Sequence, residues 1–148
     1  MSITTAVKEF VKMPFVEVSN GELADKWTII EIKTALLGNP DQLKNLSIEA
    51  SGLEPMIMEL KANSSVRLLI AQLKETNLVI WKLMERLYEL HADIDSTYLS
   101  LSIEITEYNQ KRAFLKKEID ALSQSSFSEA KSFFENPGFI INSHKIEN

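Results

Sequence analysis

Arg112 is the residue whose placement most demands a chemical explanation. It sits in the series Leu101, Ile105, Tyr108, Arg112, Leu115, Ile119, Leu122, where every other member is apolar or aromatic. A guanidinium on such a seam must find a carboxylate and further acceptors, because an unpaired buried charge is costly. Glu22, Asp25, Glu85 and Glu129 can supply the carboxylate, which predicts a cross-helix network joining Arg112 with Asn77, Asn109 and those acids. Two uses follow. Beside a groove, the arginine could hold a phosphate or carboxylate through two parallel hydrogen bonds; enclosed, it would fix the register of neighbouring helices.

Other groupings are weaker. Glu85, Glu89 and Asp93 fall at i, i+4, i+8 and share a side of one helix, but His91 faces elsewhere and no Glu-x-x-His pair accompanies them. A solvated acidic face explains the same residues, so no metal and no cofactor is expected. Glu104 and Glu107 form an E-x-x-E pair of the type that all-α nucleotide pyrophosphohydrolases use to hold Mg²⁺. The E-x-x-D pair that should follow is missing, since Glu118 and Asp120 lie two apart. Lys111, Arg112, Lys116 and Lys117 make the densest basic cluster, yet Glu107, Glu118 and Asp120 interleave with it, as on a mixed-charge surface rather than a nucleic-acid track. No phosphate-binding glycine loop or nucleophile elbow occurs.

The elements that must carry these residues are helices, punctuated by glycine and proline. Ser19 with Glu22 forms a capping box, and Leu23, Trp27, Ile30, Thr34 and Leu37 keep helical spacing up to Gly38, a C′ residue in this reading. Glu22 and Lys26 stand at i, i+4, where a local ion pair contributes only tenths of a kcal/mol, about 0.2–0.5. A second helix opens with Pro40 and Asp41 and carries Leu43, Leu46, Ala50, Leu53, Ile57 and Leu60, with a kink or short break expected at Gly52 and Pro55. Val66, Leu69, Leu73, Thr76, Ile80, Leu83, Leu87 and Leu90 make an unbroken heptad seam, flanked by Ile70, Trp81, Met84 and Tyr88. That width predicts packing against two neighbours instead of one.

The expected architecture is therefore all-α: an antiparallel helical bundle with coiled-coil-like seams and two long central helices, each roughly 40 Å long. As one helical domain over 1–148 it comprises an N-terminal helix 1–13, main helices 19–37, 40–62, 65–93 and 96–123, a short helix 126–136 capped by Ser126 and Glu129, and a tail 139–148. Phe15–Val18 and Phe139–Ile141 are short apolar segments that could pair as a two-stranded ribbon. The chain has 148 residues, 45% hydrophobic and 25% charged, which suits one globular core. With no cysteine, disulfides, thiolate metal sites and cysteine nucleophiles are excluded. A net charge of -5 argues against broad binding to nucleic acid or anionic lipid. No apolar run reaches a bilayer span, and the start lacks a secretory signal, so a cytoplasmic location without membrane insertion is expected.

The stretch from Val18 to Lys33, VSNGELADKWTIIEIK, resembles the opening signature of an uncharacterised bacterial family, a domain of unknown function whose pattern reads V-S-x-G-E-L-x-D-K-x-T-I-L-E-I-K. Ordered matches follow at Asn77, Trp81 and Glu85, at Asn109, Arg112, Ala113, Lys116 and Ile119, and at Ser125, Glu129, Lys131 and Ser132, so the likeness covers about Val16 to Phe133. Asn20, Ala24 and Phe133 depart from it without removing a charged residue. The resemblance adds Lys26, Trp81 and Lys116 to the candidates Glu22, Asp25, Asn77, Glu85, Asn109, Arg112 and Glu129. It implies a neighbourhood of surface-polysaccharide assembly but no activity. Two function classes remain: a non-enzymatic helical interaction or binding protein, as a homodimer or with a protein partner, and a small enzyme or accessory factor acting on a phosphorylated or acidic sugar.

Overall fold

A computed structural model describes residues 15–90 and 96–124. They form four helices and no strand: α1 (Asn20–Leu36), α2 (Pro40–Lys61), α3 (Ser64–Glu89) and α4 (Ser96–Leu122). The all-α class thus holds for the described residues. Phe15–Val18 pairs with no strand there and is exposed, and Phe139–Ile141 lies outside the described residues, as do 1–13, 126–136, Glu129, His91 and Asp93.

Each of the first three helices starts on a side chain that accepts its free N–H groups. The Ser19 hydroxyl accepts from the Glu22 N–H at 3.1 Å. Asn39 accepts from Asp41 and Gln42 with Pro40 in the first turn, and Asn63 accepts from Ser65 and Val66. The close of α1 differs from expectation. Leu37 leaves the helix in an extended conformation (φ -88°, ψ 140°), and no glycine among the described residues has a positive φ, so Gly38 does not supply a left-handed stop. The break expected at Gly52 and Pro55 is also absent, because α2 continues through both. Pro55 and Ser51 are exposed, which lets water satisfy the carbonyl that the proline leaves without its helical partner.

One buried cluster binds three of the helices: Ala24 of α1, Val66, Ile70 and Leu73 of α3, and Leu115 and Ile119 of α4, with Leu60 of α2 at its edge. α3 touches each of the others, which is why its apolar stripe is wide: Ile70 and Asn77 are buried beside the seam residues Val66, Leu73, Thr76 and Leu83. α4 departs from its seam at one end. Leu122 is exposed, whereas Lys116 and Asp120 are buried, so the inward face of the last turns carries charged groups beside Leu115 and Ile119.

Candidate functional site

The polar face of α4 meets the start of α1. Arg112, Lys116, Asp120 and Ser123 follow one another at helical spacing, and each takes a partner from the first turns of α1. The Asp25 carboxylate receives the Arg112 Nε–H at Oδ1 (2.8 Å) and the Arg112 Nη2–H at Oδ2 (2.5 Å), a two-point pairing that fixes both side chains. Asn77 of α3 donates from Nδ2 to the same Oδ1 (2.9 Å) and to the Thr28 hydroxyl oxygen (2.9 Å), and that hydroxyl donates to the Asp25 carbonyl (2.8 Å). Three helices are thereby joined through one carboxylate. Asp25 is 6% exposed and Arg112 29%, so the pair has its acid end enclosed and its basic end near the surface.

One turn further along α4, the buried Lys116 ammonium donates to Glu22 Oε1 at 2.6 Å. Next, the buried Asp120 accepts the Gly21 N–H at 2.6 Å through Oδ1. That carboxylate sits at the positive end of α1 and satisfies one of its free donors from outside the helix. Ser123 closes the series by accepting from Asn20 Nδ2 at 2.9 Å. The pairing is complementary in sign along its length: Arg112 and Lys116 face acids, and the acid Asp120 faces a helix N-terminus. Gly21 makes the approach feasible, because a Cβ there would run into the Lys116 carbonyl and lie 3.0 Å from Asp120 Oδ1.

Not every sequence candidate joins this arrangement. Glu22 does not pair with Lys26; it turns to Lys116, while Lys26 reaches outward to Glu49 of α2 at 2.5 Å with both side chains largely in solvent. Trp81 donates to Glu85 on its own helix, at 2.8 Å on the exposed side, so Glu85 is not an acceptor in the Asp25 cluster. Asn109 donates from Nδ2 to the Ile105 carbonyl at 3.0 Å, within α4. Glu129 is outside the described residues. Sequence reasoning missed Asp120, Thr28, Gly21 and the Asn20–Ser123 pair; a glycine in the first turn of a capped helix was the available sign of a close approach.

Comparison with family models, curated proteins and solved structures returns no match. Chemistry must therefore be read from the geometry. Among the described residues no three His, Cys, Asp or Glu side chains converge as metal ligands, and no helix is long and apolar enough to cross a membrane. A cleft of about 350 Å³ opens between the ends of the helices, lined by Asn20, Leu23, Met56, Glu59, Leu60, Asn63, Val66 and Ser123. Its floor is apolar and its rim carries amides, a hydroxyl and one acid. Asp25, Asn77 and Arg112 are not among its lining residues.

Proposed function

We propose that this chain is a non-enzymatic helical interaction or binding protein, a cytoplasmic antiparallel bundle with coiled-coil-like seams, akin to the bacterial unknown-function family whose signature it resembles. The observation that carries the reading is the mutual pairing of its charged candidates. Both guanidinium donors of Arg112 described above point at Asp25, Lys116 is held by Glu22, and Asp120 is docked on the α1 backbone. Groups bound to one another in this way specify register and are poorly placed to receive an incoming substrate. The cleft, in turn, is lined without them.

A second reading has one observation in its favour. Arg112 is 29% exposed, so an acidic ligand could compete with Asp25 for its outer face. This supports a small enzyme or accessory factor of surface-polysaccharide assembly, acting on a phosphorylated or acidic sugar. A thermal-shift screen against sugar nucleotides, polyprenyl-phosphate mimics, inorganic phosphate and divalent metals separates the two, since a ligand selective for the folded state raises Tm. The interaction reading expects no shift. A reproducible shift that Arg112→Met abolishes overturns it in favour of the second.

A further inference from the structure

The cleft at the ends of the helices opens beside the point where the chain leaves α4. Ser123 lines it, and Gln124, the next residue, adopts φ 55°. That left-handed conformation stops the helix and turns the following chain off its axis. The cleft also shows apolar groups to water: Met56 is 46% exposed and Leu60 half-buried, above the buried Leu23 and Val66. On the α1 side the chain runs clear of it, because Phe15 is 95% exposed, Val16 77% and Val18 55%.

We infer that the cleft is the seat of the segment that follows α4, residues 125–134, with phenylalanine side chains on its apolar floor. The inference needs neither functional reading. It means that a partner or ligand using the cleft has to displace this segment.

The reach, pattern and charge of the segment fit that seat. Phe127 stands four residues beyond Ser123, at the end of up to about 14 Å of extended chain. In the short helix that the sequence predicts over 126–136, Phe127, Ala130, Phe133 and Phe134 fall within an arc of about 120°, interrupted only by Ser126. Such a face needs an apolar surface to rest on. Lys131 borders the arc, and the rim of the cleft carries Glu59 as its one acid. A second copy has to compete with a segment that so short a tether holds at an effective concentration on the order of millimolar.

Methionine oxidation of the full chain by dilute hydrogen peroxide, followed by peptide mass spectrometry, is the test. Met56 lines the cleft, and Met58, on the same helix at 61% exposure, does not; an open cleft would leave their rates within about twofold of each other. Docking of the segment is expected to slow Met56 relative to Met58 by about fivefold or more, and Phe127→Ser with Phe134→Ser to bring the ratio back within about twofold. Circular dichroism checks that the double variant keeps its helicity. Should it unfold, the pair Glu59→Cys and Ala130→Cys, in a chain with no other cysteine, decides instead: a disulfide is expected, and its failure to form overturns the proposal. Equal oxidation of Met56 and Met58 in the wild-type chain overturns it as well. So does protection of Met56 that survives the double substitution, which assigns the cleft to another occupant, or protection that fades on dilution, which assigns it to a second copy.

Discussion

Asp25 accepts three hydrogen bonds from two other helices, and its replacement takes the carboxylate acceptor from both the Arg112 guanidinium and the Asn77 amide. Asp25→Ala should therefore destabilise by about 3 kcal/mol, the range for removing one member of an enclosed pair. Arg112→Met should cost at least as much, because it leaves the enclosed Asp25 carboxylate without its counter-charge, whereas the more exposed arginine left by Asp25→Ala can turn toward water. The double variant should be more stable than the sum of the two losses predicts, by about 1–3 kcal/mol of coupling, as read by urea denaturation. Additive losses would show that the two side chains do not act as a unit. Gly21→Ala tests the adjoining contact: with a Cβ driven into the α4 backbone, it should destabilise by about 2 kcal/mol or more. The sequence discloses part of this cluster. Arg112 among apolar neighbours announces a need for a carboxylate, but nothing in the chain says that Glu22 will prefer a lysine on another helix to Lys26 four residues away. Asp120 was illegible for a related reason, since its partner is a backbone N–H 99 residues distant and leaves no side-chain signature.

At the scale of the helix, starts are written plainly and ends are not. Ser19, Asn39 and Asn63 each offer an oxygen to the first turn, a local interaction that residue type alone predicts. The finish of α1 depends instead on which backbone conformation the following loop requires, and Leu37 meets it without a left-handed glycine. The continuity of α2 is a similar case. Proline opposes a helix locally, yet burial of Leu46 and Ile57 on either side of the Gly52–Pro55 stretch favours one unbroken element. Gly52 then has no conformational role, and a Cβ placed on it meets nothing within 4 Å. Gly52→Ala should raise stability by about 0.5–1 kcal/mol in thermal or urea unfolding, opposite in sign to Gly21→Ala. A loss at Gly52 would mean that its surface is covered in the working protein.

For the whole molecule, the two faces of α4 carry unequal weight. Its inward face carries Arg112, Lys116 and Asp120, which hold the start of α1, beside the buried Leu115 and Ile119; its outward face carries Leu99, Ile103 and Phe114, which remain exposed. Phe114→Glu should therefore melt close to the wild-type temperature, within about 0.5 kcal/mol of its stability, since an exposed side chain is exchanged and the core is left intact. Asp25→Ala makes the informative contrast. It weakens the α1 attachment on the other side of the helix, so its melting temperature should fall by several degrees. A comparable fall for Phe114→Glu would mean that the outward face is covered in the working protein, and the two faces of α4 would have to be treated as one cooperative unit.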